Sequence, residues 1–349
     1  MRQLTFGDAI NEGMSIAMST DPKVLAFGLG ICDPKAIFGT TQGLQETFGK
    51  GRVFDMPVSE NALTGMAVGA AIGGYKPVMV HQRLDFSLVS MDQIVNSAAK
   101  WFYMFGGHTP IPMVIRMIVG RGWGQGPTHS QALHSWFAHI PGLKVVLPAS
   151  PGDAKGLLLE SIHDPNPVIF IEHRWLHNSL GDVPEGDYRV PIGEASVVIK
   201  GSDITLVASS LMTVEARHAS QILSGFGINC EVIDLRSVRP IDWQTIEKSV
   251  LKTGRLMALD FAHPVASIAA EIIAGVSERC FSSLKAAPIR LCLPDHAVPT
   301  SVALTRDFYP TVADIVNKVA TEMGVTISAG ELLNNQPHDV PGEWFRGPF

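Results

Sequence analysis

The sequence predicts an α/β protein of two domains, each with a mostly parallel sheet covered by helices. Short apolar runs alternate with helix-like patterns along most of the chain. A loop-like stretch at 178–191, NSLGDVPEGDYRVP, separates two such series and is interpreted as the linker between them. The 349 residues suffice for two ordinary domains. We therefore expect domains at 1–185 and 186–324, followed by an aromatic C-terminal tail at 325–349.

The first series of elements alternates strands with helices. Its strands are predicted at 24–29, 77–80, 113–119, 144–147 and 168–172. Its helices are predicted at 5–19, 62–73, 89–105, 131–140 and 153–163. Pro151 directly after Ser150 is typical of a first-turn proline behind a serine cap, which marks the start of the last of these helices.

The second series repeats the alternation. Its strands are predicted at 204–208, 230–235, 256–260 and 289–293. Its helices are predicted at 213–223, 243–251, 266–278 and 312–323. The pattern ends after Gly324, yet the tail carries Trp344, Phe345 and Phe349. Three aromatic side chains are uncommon in a solvated tail, so we expect the tail to dock on a neighbouring surface.

Composition excludes several classes of protein. The chain is 46% hydrophobic with a mean hydropathy of +0.19, which indicates an extensive core or a large buried interface. A net charge of −6, without a Lys/Arg run, argues against nucleic-acid binding. The most apolar run, 66–80, is too short and interrupted to span a membrane. Four scattered cysteines, and an N-terminus unlike a signal or transit peptide, predict a cytoplasmic location.

A lone carboxylate stands out in the stretch 52–61, RVFDMPVSEN. Glu60 lies where a strand-like run meets a helix of small apolar residues. Such a carboxylate must be paired or take part in chemistry, because little water is there to solvate it. Position alone favours a helix-end role beside the helix dipole.

The helix after Glu60 carries Gly65, Gly69 and Gly73 at intervals of four residues, so all three share one face. Glycines on one face indicate close approach by another backbone, because each weakens the helix by about 1 kcal/mol relative to alanine. Tight packing within the domain is the simpler interpretation. A subunit interface beside a cofactor is the alternative.

Two histidines and one charged pair are further candidates. His129 follows a glycine-rich loop at 120–126 and has the chemistry of a general acid or base, although a lone loop histidine is more often structural. His139 lies in an apolar helix and is interpreted as a core residue. Arg83 and Asp85 form either a surface ion pair or the polar lining of a pocket.

Other motifs, present or absent, restrict the types of ligand site and catalytic mechanism that the sequence allows. Asp164 and Asn166, in HDPNP, predict an Asx turn that closes a helix, with a cation held by turn carbonyls as the alternative. The sequence contains no P-loop, no GxGxxG that opens a helix after a strand, no HExxH and no GxSxG elbow. An enzyme with this sequence would therefore use an organic cofactor and share that cofactor's site with another chain.

Six collinear segments resemble the β subunit of the thiamine-diphosphate-dependent decarboxylase component of 2-oxo acid dehydrogenase complexes. The resemblance runs from about residue 4 to about residue 323. The segments are RVFDMPVSEN, GMAVGAAIGGYKPV, MDQIVNSAAKWFYMFGG, HSQALHSWFAHIPGLKVVLPASPGDAKGLL, HDPNPVIFIE and CEVIDLRSVRP. It implies that 1–185 is a pyrimidine-binding domain and that 186–324 is a transketolase C-terminal-like domain.

The resemblance also implies roles for single residues. Glu60 would hydrogen-bond the pyrimidine nitrogen of the cofactor, and Phe86 and Val58 would help to bind it. A carboxyl group in an apolar pocket holds a proton more readily, so Glu60 could promote the imino tautomer that generates the ylide. His129, in the HSQ motif, would orient the substrate and assist acyl transfer.

Partners and metals follow from the same resemblance. An α subunit would supply the GDG motif that holds magnesium and the cofactor diphosphate, because this chain lacks that motif. Two copies of each subunit would form a heterotetramer, and a lipoyl-bearing acyltransferase would accept the acyl group. Met113, Ser161, Asp164 and Asn166 match a structural potassium site of some members.

The chain departs from the family pattern beside the expected substrate. His81, Gln82, Arg83 and Arg121 replace other residue types there and are candidates for the substrate pocket, with Trp123 close by. Added donors and positive charge favour a polar or phosphorylated keto compound. A split transketolase or carboligase acting on a sugar or sugar phosphate is therefore an alternative function. A noncatalytic assembly subunit is a third hypothesis, against which the retained glutamate argues.

Overall fold

The computed structural model describes residues 2–121 and 124–327, which form two compact units. The first contains residues 2–121 and 128–192, and the second contains 124–127 and 193–327. The predicted docking of the aromatic tail concerns 328–349, and this segment lies, like Trp123, outside the described residues. None of the helices in the described ranges is long and apolar enough to cross a bilayer.

Six strands of the first unit pair in parallel, in the order β6-β7-β5-β4-β2-β3. The strands of this unit are β1 Arg2–Thr5, β2 Val24–Gly28, β3 Val53–Asp55, β4 Lys76–His81, β5 Val114–Val119, β6 Lys144–Val146, β7 Val168–His173 and β8 Leu180–Val183. The central strands are mostly apolar runs, as expected where helices cover both faces of a parallel sheet. The predicted α/β fold with mostly parallel strands is confirmed.

The helices of the first unit are α1 Phe6–Thr20, α2 Leu44–Phe48, α3 Glu60–Ile72, α4 Ala99–Met104, α5 His134–His139 and α6 Pro151–His163. Two 3-10 helices, Leu84–Ser90 and Arg174–Leu176, and a π-helix, Gln93–Ala98, complete this set. Ser150 caps α6 by accepting from the backbone N–H of Asp153, and Pro151 occupies its first turn as the sequence predicted.

Two predictions for the first unit are wrong in detail. The stretch interpreted as a pure linker contains β8, which pairs antiparallel with β1, and neither strand was predicted. Both are short and show no regular alternation of apolar and polar residues, so the sequence carries no strong signal for them. The helix predicted at 89–105 is divided into 3-10, π and α segments, because helical periodicity does not distinguish these forms.

The carboxyl ends of β2, β4, β5 and β7 all lie at one edge of the parallel sheet, which we call the carboxyl edge. The loops and short helices that leave it carry Phe38, Arg83, Arg121 and Arg174. Ligands of open α/β sheets bind outside this edge. The fold therefore gathers at one place side chains that are far apart in sequence.

The second unit has its own sheet, in the order β14-β13-β10-β11-β9, with β9 antiparallel to its neighbour. The strands of the second unit are β9 Ser196–Ile199, β10 Ile204–Ala208, β11 Cys230–Asp234, β12 Ser237–Arg239, β13 Leu256–Leu259 and β14 Ile289–Leu291, and β12 is not part of this five-stranded sheet. Its helices are α7 Leu211–Ser224, α8 Trp243–Thr253, α9 Ile268–Cys280, α10 Val302–Thr305 and α11 Val312–Met323, with a 3-10 helix at Phe281–Ser283. A capping box of Thr311 and Asp314 begins α11, and Gly324 ends it at a φ of 69°.

Gly142 is expected to be the least replaceable glycine next to α4. Its φ is 100°, and a Cβ built on it would lie 1.9 Å from the backbone oxygen of Ala99. Left-handed strain and overpacking together predict that Gly142→Ala lowers the free energy of unfolding by about 2–5 kcal/mol. Gly186 is a matched control, because its φ is 74° and a Cβ there meets nothing within 4 Å.

Gly186→Ala should therefore cost only the backbone strain, about 1–2 kcal/mol. Denaturant unfolding of both variants, followed by tryptophan fluorescence, would measure the difference. Equal losses would show that the close approach of Gly142 to α4 does not limit the side chain at this position.

Candidate active site

Glu60 is the first residue of α3 and is only 8% exposed. The helix begins two residues earlier than the predicted 62, so the carboxylate lies in its first turn. The side chain of the N-cap, Ser59, forms no capping hydrogen bond, and the hydroxyl of Thr64 donates to the backbone oxygen of Glu60 at 2.8 Å. Within the described residues the Glu60 carboxylate itself has no hydrogen-bond or ion-pair partner. The helix therefore holds a buried acid that is not committed to another protein group.

Phe86 lies on the 3-10 helix Leu84–Ser90, which packs against α3. Its ring is half-buried and meets the imidazole of His129 edge to face, with ring centroids 5.5 Å apart and an interplanar angle of 90°. His129 is exposed, and its Nδ1 lies 3.1 Å from the hydroxyl oxygen of Thr128. The structure thus brings together Phe86 and His129, two of the residues that the sequence singled out as functional.

A polar contact fixes the loop of His129 to the helix of Phe86. The Asp85 carboxylate accepts from the backbone N–H of Gln131 at 3.3 Å and from its side-chain amide at 2.8 Å. Asp85 is only 7% exposed, so this contact is shielded from water. Val58, the third predicted cofactor contact, precedes α3 and has 78% of its surface exposed.

The predicted substrate-pocket residues are mostly buried. Arg83 is 7% exposed, as is Asp85, so the interpretation of these two as a surface ion pair is wrong. Burial lowers the pKa of His81 to about 4, so this histidine is neutral at pH 7 and adds no positive charge. Gln82 lies against Gly30, where an added Cβ would be 2.3 Å from its amide nitrogen. Arg121 packs its guanidinium on an aromatic side chain of the same unit.

That aromatic partner is Trp175, whose ring centroid lies 3.9 Å from the Arg121 guanidinium carbon. A guanidinium at this distance from an indole gains a cation–π attraction. Arg121 is 8% exposed and follows β5 at the carboxyl edge. Its role as a substrate contact stays a prediction.

A buried ion pair beneath the carboxyl edge was missed by the sequence analysis. Arg116 in β5 donates through Nε and Nη2 to the two Glu172 oxygens in β7, at 2.6 and 3.0 Å, and both side chains are fully buried. Burial alone would raise the pKa of Glu172, but the charge of Arg116 and hydrogen bonds from His177 and Arg116 lower it to about 2. One cation and one anion inside two otherwise apolar strands are the sequence signal that could have predicted this pair.

His177 completes the buried cluster as a neutral partner. Burial lowers its pKa and outweighs the opposing effect of Glu172. Its Nε2 lies 3.1 Å from Glu172, so the neutral ring donates Nε2–H to the carboxylate. The cluster is therefore one ion pair supported by a neutral hydrogen bond.

The predicted potassium ligands lie around the end of α6. Asp164 accepts from the backbone N–H of Asn166 at 2.9 Å, which is the predicted Asx turn, and it also pairs with the ammonium group of Lys144. Ser161 lies in α6 and Met113 directly precedes β5, and both residues are buried. Any cation here would rely on backbone carbonyls, because the Asp164 carboxylate already has a cationic partner. Potassium binding stays a prediction.

Two family models together match most of the chain. Residues 2–178 match the family described as the transketolase pyrimidine binding domain, and residues 193–315 match the transketolase C-terminal domain. A solved split-gene transketolase, described as an inactive β4 tetramer, has a TM-score of 0.73 and 21% identity. The match covers 93% of this chain and 99% of that chain, and it shows a shared fold.

Several relatives are similar over most of their length. The β subunit of acetoin:2,6-dichlorophenolindophenol oxidoreductase from Cupriavidus necator is 42% identical over 324 residues, which cover 90% of this chain and 96% of the relative. The mitochondrial pyruvate dehydrogenase E1 subunit β-2 of Oryza sativa subsp. japonica is 40% identical over 90% of this chain and 85% of its own length. The mitochondrial pyruvate dehydrogenase E1 β subunit of Homo sapiens is 36% identical, and the match covers 93% of this chain and 91% of the relative. The chain therefore belongs to the family of pyruvate dehydrogenase E1 and acetoin oxidoreductase β subunits, a thiamine-diphosphate-dependent branch of the transketolase superfamily.

Proposed function

We propose that this chain is the β subunit of an enzyme that decarboxylates a 2-oxo acid and transfers the acyl group to a lipoyl carrier. The observation that carries the proposal is Glu60, a largely buried residue in the first turn of α3 whose carboxylate has no hydrogen-bond or ion-pair partner in the described part of the chain. A buried acid that no protein group neutralises is typical of a site completed by a ligand.

The residues present fit the pyrimidine half of thiamine diphosphate. When bound, this cofactor supplies the electron sink for decarboxylation. Glu60 would hold a proton at the pyrimidine nitrogen through its carboxyl group, and Phe86 would pack on the ring. His129, exposed and in contact with Phe86, would hydrogen-bond the substrate and assist acyl transfer.

An α subunit would complete the site by holding magnesium and the diphosphate, in a heterotetramer with two copies of each chain. The glycine face of α3 supports an interface there. A Cβ on Gly69 would meet nothing within 4 Å, whereas the three atoms nearest to one on Gly65 would belong to the Gln93 side chain. Met66, on the same helix, is 64% exposed. Small residues beside an exposed apolar side chain are typical of a face that another chain covers.

A cytoplasmic location remains part of this proposal. It rests on composition and on the four cysteines, all of which are free thiols in the structure.

The test is co-expression with the α partner, followed by turnover of several 2-oxo acids with an artificial electron acceptor. Carbon dioxide release with at least one acid is the expected result, and its absence with all of them would contradict the proposal. The second candidate, a split transketolase or carboligase, is favoured by the buried arginines at the carboxyl edge. Ketol transfer without any electron acceptor would support it instead.

His129→Gln is expected to slow acyl transfer without disturbing the fold. Proton transfer by a positioned side chain contributes about 10²–10⁴-fold in rate, and His129 is too exposed to contribute much to packing. The rate of lipoyl-domain acylation by the assembled enzyme measures the loss. His108→Gln, at another exposed histidine of the same unit, is the control. Equal rates in the two variants would show that His129 takes no part in acyl transfer.

A further inference from the structure

Two buried arginines share one aromatic ring at the carboxyl edge. The guanidinium carbons of Arg83 and Arg174 lie 5.2 and 4.5 Å from the ring centroid of Phe38. Each arginine is only 7% exposed, while Phe38 is half-buried. Arg83 follows β4, Arg174 follows β7 and Phe38 lies in the loop after β2. Three segments far apart in sequence therefore bring two cations to one place.

Among the described residues, no acidic group compensates the charge of Arg174. Its Nε and Nη1 are buried and have no acceptor within the described residues. Burial, followed by the charge of Arg83, lowers its pKa to about 10, so it stays protonated at pH 7. Burial lowers the pKa of Arg83, and the charge of Asp85 opposes this effect. Glu172, in the strand β7 that precedes Arg174, already forms an ion pair with another arginine, Arg116.

A buried charge with unmet donors is far more costly than a missing neutral hydrogen bond. The surrounding backbone is strained as well, since Ala36, Ile37 and Phe38 have φ values of 43°, 47° and 59°. Three successive non-glycine residues in the left-handed region persist only where other interactions hold them. Such a costly arrangement is expected where a ligand supplies the missing interactions.

We propose that Arg174 and Arg83 form an oxyanion site that binds a distal carboxylate or phosphate of the substrate. Guanidinium groups match the planar or tetrahedral oxygens of these anions and hold them through several charge-assisted hydrogen bonds. The Phe38 ring would pack on the carbon chain of the substrate. The backbone oxygen of Arg83 accepts from the N–H of Phe86 at 3.2 Å, so the site adjoins the residue assigned to the cofactor ring.

This inference rests on the proposed function and names its substrate class, a 2-oxo acid with a second negative charge. Neither arginine alone would suffice to bind the second negative charge of the substrate. Arg83 brings charge but is partly offset by Asp85, whereas Arg174 brings the unmet donors. A monoanionic substrate with an uncharged chain would leave Arg174 uncompensated.

The first test measures anion binding by the full chain without any turnover. Inorganic phosphate and malonate are titrated at constant ionic strength while the thermal unfolding midpoint is followed. The midpoint should rise with either anion. In Arg174→Met the midpoint should be higher than that of the unsubstituted chain without anion, and the apparent affinity for phosphate should fall on the order of tenfold or more.

Arg189→Met is the matched control, because Arg189 lies in the same unit with 43% of its side chain exposed. It should leave both the midpoint and the phosphate response unchanged. Arg174→Lys, which keeps the charge but loses the guanidinium geometry, should retain part of the response. If Arg174→Met does not fold, Arg83→Gln tests the same site. An unsubstituted chain that ignores both anions, or an Arg174→Met chain that responds as the control does, would overturn the site.

The second test uses the enzyme assembled with its α partner. A 2-oxo dicarboxylate and a phosphorylated 2-oxo acid are compared with 2-oxo acids that have uncharged chains. Arg174→Met should lower kcat/KM about tenfold or more for the doubly charged acids and less than about twofold for the others. Equal losses for both classes would overturn the substrate assignment. If the chain binds phosphate through Arg174 but no 2-oxo acid turns over, the proposed function fails while the oxyanion site stands.

Discussion

Glu60→Gln is expected to lower turnover by the assembled enzyme about 10²–10⁴-fold while the chain folds normally. Glutamine has the same shape and can still hydrogen-bond a ring nitrogen, but it cannot hold or share the proton. Loss of a positioned proton-transfer group costs about 10²–10⁴-fold in rate. If Glu60 merely stabilised the start of α3, the substitution would cost about 0.3–1 kcal/mol of stability and leave the rate unchanged. A proton-transfer role and a helix-stabilising role therefore predict turnover rates of Glu60→Gln that differ by orders of magnitude.

Glu46→Gln is the matched control for this substitution. Glu46 is also a first-turn acid, but it lies on α2 and is exposed. Turnover of the two variants is compared under saturating cofactor, with circular dichroism to verify folding. Full activity of Glu60→Gln would show that this chain contributes no chemistry and would support the hypothesis of a noncatalytic assembly subunit.

The parallel sheets were predictable because their strands are buried on both faces. β5 and β7 have no exposed residue, so each must be an almost continuous apolar run of strand length. β10 and α11 were predicted with the bounds that the structure shows. In α11 this succeeds because the amphipathic pattern, the Thr311 cap and the terminal glycine all agree.

Local patterns failed where tertiary contacts decide the structure. β1 and β8 become strands only through each other, across almost the whole first unit. His139 was interpreted as a core histidine because its neighbours are apolar, yet it is exposed, and His134 of the same short helix is fully buried. Apolar neighbours in sequence do not reveal which face of a short helix turns inward.

The residues of the candidate site also include some that local sequence patterns revealed and others that only the fold revealed. Glu60, Phe86 and His129 were found because each lies in a local motif that resembles a known family. Arg174 was not found, since its environment comes from Phe38 and Arg83, each in a different segment. A single charged residue after a strand is common in sequences, and only the fold shows that the charge of Arg174 is buried without a counter-ion among the described residues.

The second large effect is expected at the buried ion pair of Arg116 and Glu172. Glu172→Gln should lower the free energy of unfolding of the first unit by about 3–5 kcal/mol, because it leaves the Arg116 charge buried and unpaired. This corresponds to a fall of the thermal midpoint on the order of 10 °C. The double variant Arg116→Met, Glu172→Gln should recover much of the loss, since it removes the unpaired charge.

The pH dependence identifies the source of that stability. The folded pKa of Glu172 is about 2, below its ordinary value of 4.5, so the pair stabilises the fold fully above about pH 4.5. The stabilisation is lost as the pH falls from about 4.5 through 2, where the folded carboxylate becomes protonated. His81 adds a separate loss that begins below about pH 6.5, because its lowered pKa keeps it neutral only in the fold.

Subtracting the midpoint of Glu172→Gln from that of the unsubstituted chain at each pH cancels the His81 contribution, which both chains share. Because Glu172 also opposes the lowering of the His177 pKa, the difference should grow somewhat as the pH falls from about 6.5 to 5, and it should then shrink steadily towards pH 2. A difference that did not change over this range would mean that the lost stability comes from the altered packing of glutamine. A shrinking difference would instead assign it to the carboxylate charge, and the recovery in the double variant would then assign it to Arg116.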